Sequence, residues 1–155
     1  MEENTNWSLS VGGVCIKDGK VLLSRHTYGS GNGKLIIPGG YLQNSESPET
    51  ALQREFMEEV AINVEPQELI GIRFNSQCWY AVFYAEYVSG IAASDNDENS
   101  EVVWMDIDEA LQRDDVPNLT KQMIACAINR KYALTQLPYN GKNPPNSLYG
   151  TKKED

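Results

Sequence analysis

Gly40-Tyr41-Leu42-Gln43-Asn44-Ser45-Glu46-Ser47-Pro48-Glu49-Thr50-Ala51-Leu52-Gln53-Arg54-Glu55-Phe56-Met57-Glu58-Glu59-Val60-Ala61-Ile62 is the stretch from which the rest of the chain can be read. A helix should start near Pro48. Ser47 is a suitable N-cap, Pro48 fits the first helical position, and Glu49 suits the positive end of the helix dipole. The helix should run to about Val60. At about 100° per residue, Ala51, Arg54, Glu55, Glu58 and Glu59 share one arc, and Leu52, Phe56 and Val60 share the next. The apolar arc can pack on a sheet while the carboxylates face a cleft. Carboxylates crowded on one face repel by a few tenths of a kcal/mol per exposed pair, and the Arg54–Glu58 spacing offsets part of that. A divalent cation would offset more, and hard cations such as Mg²⁺ prefer oxygen ligands. An E-x-x-E-E face alone is more often a solvated surface, so the flanking sequence has to decide.

Upstream, Trp7 to Ile16 reads as a strand, and Lys17-Asp18-Gly19-Lys20 as a turn. Val21 to Arg25 is then the returning strand. Tyr28 to Lys34 is a glycine-rich loop, but Leu35 follows the lysine where a P-loop needs Ser or Thr. Leu35-Ile36-Ile37 is a short strand stopped by Pro38-Gly39-Gly40. Downstream, Leu69–Phe74, Cys78–Val88 and Glu101–Met105 read as strands, with a polar acidic loop from Ser89 to Ser100. Asp106 or Asp108 can cap a short helix through Arg113. Thr120 to about Leu134 reads as an amphipathic helix. Asp95-x-Asp97-x-Asn99 begins like an EF-hand loop, but Ser100 stands where glycine is needed and Asp106 where a bidentate Glu is expected. Mixed strands and helices in this order indicate an α/β chain, a sheet sandwiched between helices. Residues 1–137 form the expected domain, and 138–155 an extended or partly disordered C-terminal tail in which Tyr139 and Tyr149 can dock.

The chain has 155 residues, one domain's worth, with a hydrophobic fraction of 41%. Its net charge of −9 argues against nucleic-acid polymers and anionic membranes as partners. An anionic substrate would need a cation to bring it in. Cys15, Cys78 and Cys126 are odd in number and form no C-x-x-C pair, which suits reduced thiols in a cytoplasmic protein. His26 is the only histidine, so sites built on several histidines are excluded. The polar, acidic start is not that of a signal peptide, and no apolar run approaches a membrane span.

The quoted stretch resembles the Nudix box, G-x5-E-x7-R-E-U-x-E-E-x-G-U, where U is bulky and apolar. Gly40, Glu46, Arg54, Glu55, Glu58 and Glu59 match its fixed positions, and Phe56 and Ile62 its apolar ones. At average residue usage such a match arises about once in ten million windows. Ile37-Pro38-Gly39-Gly40 looks like the family's approach to the box, and Glu101 to Trp104 with Asp108-Glu109-Ala110 like its later strand and helix. Ala61 replaces the box glycine. A left-handed conformation there would cost an alanine roughly 1–2 kcal/mol, unless Asn63 takes over the cap.

The resemblance implies a Nudix-like α/β/α sandwich with a mixed β-sheet. It also implies metal-dependent hydrolysis of a diphosphate linkage in a nucleoside diphosphate derivative. Nucleotide sugars such as ADP-ribose and nucleoside triphosphates are the first substrates to consider; the alternative is an inactive nucleotide-sensing module. Mg²⁺ or Mn²⁺ is the implied cofactor and a small-molecule nucleotide the implied partner, with a homodimer as the family prior. Glu58 and Glu59 are the primary candidate metal ligands, with the Gly39 carbonyl added by resemblance. Glu55 is either a further ligand or the general base; Glu98 and Glu101 are the candidates for a base outside the box. Arg54 should orient the carboxylates, with Glu46 as its partner. Arg25 and Arg73 are candidates for phosphate contacts, and Tyr28, Tyr41, Trp79 and Tyr80 for stacking on a base. His26 lies next to the glycine loop.

Overall fold

Asp18 and Gly19 both adopt positive φ, 53° and 74°, and so close the expected tight hairpin between strands β2 (Ile16–Lys17) and β3 (Lys20–His26). A computed structural model describes residues 8–151; Trp7, expected to open the first strand, lies outside them. The remaining elements are β1 (Ser8–Val14), β4 (Leu35–Ile36), β5 (Gly39–Tyr41), α1 (Pro48–Val60), β6 (Asn63–Phe74), β7 (Cys78–Ser89), β8 (Asn99–Asp106), α2 (Ile107–Gln112), α3 (Asn118–Ile128), β9 (Thr135–Leu137) and β10 (Leu148–Gly150).

A mixed sheet has the order β5-β1-β7-β6, with β1 and β7 parallel and the outer pairs antiparallel. In a second, antiparallel sheet β3 pairs with β2, β4 and β8. Alternation along the strands divides the core in two. On one face of the mixed sheet Val11, Phe83 and Ala85 pack against Ala51, Leu52, Phe56 and Val60 of α1. On the other, Val14 and Val82 pack with Ile124 and Ala127 of α3 and with Leu23 and Met105 of the second sheet. This is the expected α/β/α arrangement. Among the described residues no helix is long and apolar enough to cross a membrane.

Three local readings are corrected, and the course of the C-terminal segment is added. Gly39 and Gly40 do not merely stop a strand: with Tyr41 they form β5, pairing with Ser10, Val11 and Gly12 of β1. Strand β6 begins at Asn63, six residues before the expected Leu69, and its register shifts between Pro66 and Leu69, where proline interrupts the ladder. Helix α3 ends at Ile128 rather than near Leu134, and Leu134 instead bridges Leu69 of β6. Finally, the chain beyond Leu137 returns as β10, antiparallel to β9. Tyr149 of β10 sets its ring 5.5 Å from that of Phe83 and donates its hydroxyl to Glu49 Oε1 at 2.6 Å.

Candidate active site

Helix α1 is placed by its own local chemistry. Ser47 Oγ accepts the Thr50 N–H at 3.1 Å, and Pro48 opens the helix. At the other end Ala61 takes the left-handed conformation itself (φ 61°, ψ 28°). Its N–H donates to the Met57 carbonyl, the bond of an αL-type helix ending, and the Ile62 N–H donates to the Phe56 carbonyl. Asn63 does not cap the helix; it begins β6.

Glu58 and Glu59 are neighbours in sequence with opposite surroundings. The Glu58 side chain is 60% exposed and that of Glu59 only 2%. Glu59 Oε2 accepts the Gly39 N–H at 3.1 Å, and Oε1 lies 3.4 Å from Ser24 Oγ, a long bond. His26 Nε2 is 3.2 Å from Glu59 Oε1, near enough for charge to matter but without hydrogen-bond alignment. The buried Asn99 holds the helix behind Glu59, its Nδ2 donating to the Glu59 carbonyl at 2.8 Å. Sequence reading did not mark Ser24, and it met Asn99 only as part of the rejected EF-hand-like pattern in the acidic loop.

Arg54 is the hub of the box. It grips Glu46 with two bonds, Nε to Oε2 at 2.8 Å and Nη2 to Oε1 at 2.9 Å. It also donates to Glu55 Oε1 at 2.8 Å, Glu58 Oε2 at 3.2 Å and the Tyr41 carbonyl at 3.1 Å. The bond from Arg54 holds the Glu46 carboxyl below its ordinary pKa, and the Arg54 guanidinium is raised in turn. Burial pushes Glu55 up against the opposing pull of Arg54. Glu98 is also raised, first by burial and then by the charge of Glu59.

Gly39 is fixed by its backbone neighbour, and Gly40 by the carboxylate it leaves room for. A Cβ on Gly40 would overlap the Glu55 carboxylate, and one on Gly39 would overlap the Val11 carbonyl. Beside these glycines opens a cavity of about 700 Å³, a size that suits a nucleotide-sized ligand. Tyr28 and Tyr41 stand at its mouth and Arg73 and Tyr80 on its wall. Tyr28 also stacks on His26, with centroids 5.6 Å apart.

Three expected residues are placed elsewhere. Arg25 and Glu101 face each other across β3 and β8, and Arg25 is committed to Glu101 Oε2 at 2.9 Å, Asp115 Oδ2 at 3.1 Å and the Gly33 carbonyl. Neither lines the cavity; they neutralise one another on the second sheet. Trp79 alternates away from Tyr80 and packs edge-on against Phe74, centroids 4.7 Å apart.

Among the described residues no three acidic, histidine or cysteine side chains already converge as a closed metal cage. The donors nevertheless fit a hard divalent cation. Glu59 is a buried carboxylate that no described Lys or Arg neutralises, its Oε2 bonded to the Gly39 N–H, and Glu55 and Glu58 of the same helix are gathered by Arg54. Mg²⁺ takes one or two carboxylates and completes its shell from phosphate and water.

An α/β/α sandwich with an arginine-clamped glutamate helix beside a nucleotide-sized cavity defines a hydrolase of the phosphoanhydride-cleaving class. Residues 7–125 match the family model described as the NUDIX domain. A "MutT-like protein" of Streptomyces ambofaciens is 36% identical over 108 residues, 68% of each chain. Among solved structures, a NUDIX hydrolase from Nitrosomonas europaea superposes with a TM-score of 0.70 at 25% identity, over 81% of this chain and 91% of that one. An ADP-ribose pyrophosphatase from Streptococcus suis superposes at 0.65 with 17% identity, over 81% and 92%. The chain belongs to the Nudix hydrolase family, enzymes of the pyrophosphohydrolase type.

Proposed function

We propose that this enzyme cleaves the diphosphate linkage of a small nucleoside diphosphate derivative with Mg²⁺ or Mn²⁺ as cofactor. ADP-ribose-type nucleotide sugars and nucleoside triphosphates are the leading substrates. The observation that carries the reading is Glu59: a carboxylate buried to 2% exposure, without a described Lys or Arg partner, beside Gly39 at the edge of the cavity.

A divalent cation held here would neutralise phosphate charge and help activate water. Glu59, Glu58 and Glu55, with the Gly39 carbonyl, are its proposed ligands. Arg54 positions Glu55 and Glu58 from behind. Glu98 is the proposed base: burial first and then the charge of Glu59 raise its pKa, which makes it a stronger proton acceptor, whereas Glu101 is tied to Arg25. Tyr28, Tyr41 and Arg73 contact the substrate. The free thiols of Cys15, Cys78 and Cys126 support a reducing, cytoplasmic setting.

The test is a panel of nucleotide sugars and nucleoside triphosphates incubated with Mg²⁺ or Mn²⁺, repeated with Glu58→Gln and Glu59→Gln. Wild type should turn over at least one compound, and each variant should lose most of that rate. Turnover without metal, or undiminished variants, would refute the assigned roles.

A further inference from the structure

Tyr80 lines the cavity, and the charge of Glu59 reaches it. On β7 it pairs with Ser10 of β1, and the phenol end of its ring rests on the Gly12 backbone, where a Cβ would overlap the hydroxyl. Gly12 in turn pairs with Gly39, whose N–H is bonded to Glu59. The hydroxyl therefore rests on the strand that pairs with β5, whose Gly39 is bonded to Glu59. Glu59 is the charge that acts on it most, and with burial it keeps the phenol protonated and able to donate. No described residue accepts from it, although it faces the cavity.

The ring face is not the group on offer. Gly12 lies against the phenol end, and the Arg73 guanidinium stands over the ring, 5.6 Å from its centroid, within cation–π range. Arg73 Nε is itself buried without an acceptor. This wall thus presents two donors and no acceptor to match them, so the ligand that completes it must bring oxygens.

We infer that the Tyr80 hydroxyl, seated on Gly12, donates to a phosphoryl oxygen of the bound diphosphate, with Arg73 fixing the ring and holding the next acceptor along the substrate. This rests on the reading of the site as a diphosphate hydrolase. Tyr80 becomes a substrate-contacting residue for phosphate, not a platform for a base. Gly12 becomes a positioning residue, since a side chain there would push the hydroxyl out of the site.

The experiment compares wild type, Tyr80→Phe and Gly12→Ala. Each is measured for turnover of the best panel substrate with Mg²⁺ and for calorimetric affinity for α,β-methylene-ADP with Ca²⁺. Tyr80→Phe removes one oxygen and leaves the ring seated. It should unfold at the wild-type temperature and lose about tenfold or more in kcat/KM and in analogue affinity, the usual effect of losing a hydrogen bond to a charged group. Gly12→Ala should show the same loss of analogue affinity. Unchanged kcat/KM and affinity in Tyr80→Phe, with wild type active, would overturn this inference alone. A wild type that neither binds the analogue nor cleaves any panel compound would overturn the diphosphate reading, and this inference with it.

Discussion

Replacing Ala61 by glycine should make the protein more stable. Ala61 ends α1 at φ 61° and ψ 28°, a conformation in which an L side chain crowds the following carbonyl at a cost of roughly 1–2 kcal/mol. Glycine removes that cost but brings a more flexible unfolded chain, a penalty of about 0.4–1 kcal/mol. The helix-ending bonds from the Ala61 and Ile62 N–H groups use backbone atoms only and survive the change. The net gain should be about 0.5–1 kcal/mol, or a rise of about 1–4 °C in Tm for a chain this long. Urea denaturation should show a higher midpoint at unchanged slope. Ala61→Val, β-branched at the same φ, should move Tm the other way. Because Ala61 offers no side-chain oxygen, Ala61→Gly should leave kcat/KM within about twofold. A Tm below wild type for Ala61→Gly would refute the claim that the left-handed alanine is strained.

Arg54→Lys keeps the charge but cannot hold Glu46 with a planar fork while also reaching Glu55 and Glu58; steady-state kinetics should show kcat down about tenfold or more. Gly40→Ala displaces the Glu55 carboxylate and should weaken Mg²⁺ activation, read as a higher metal concentration at half-maximal rate. Asp115 is held by both Arg113 and Arg25, which depress its pKa in the folded state. Its stabilisation is therefore present above the unfolded value, about 3.9, and is lost as pH falls below it. Asp115→Asn should lower Tm at pH 7, and the gap from wild type should shrink towards pH 3.

What could be read from the chain was local. Ser47 and Pro48 fix the start of α1 within a few residues of sequence, and Arg54 reaches Glu46 and Glu58 inside the same segment. What could not be read depended on distant pairing. Gly39 and Gly40 carry no side chain to announce a strand; β5 exists because β1 lies alongside it. Pro66 hides the first half of β6. The apolar Ala133 and Leu134 extend the helical pattern of α3, yet Leu134 is used on β6. Arg25 and Glu101 look like site residues until the register of β3 and β8 sets them opposite each other. The choice between Trp79 and Tyr80 is a matter of strand phase, which only the partner strand decides. Burial separates Glu59 from Glu58, and no spacing rule reports it.

The bond between Tyr149 and Glu49 joins residues a hundred positions apart. A ribosome delivers the glutamate helix long before the tyrosine that clasps its first turn. The nascent chain therefore carries its whole acidic face with that end of the helix still untied, and closure waits for the last strand to emerge.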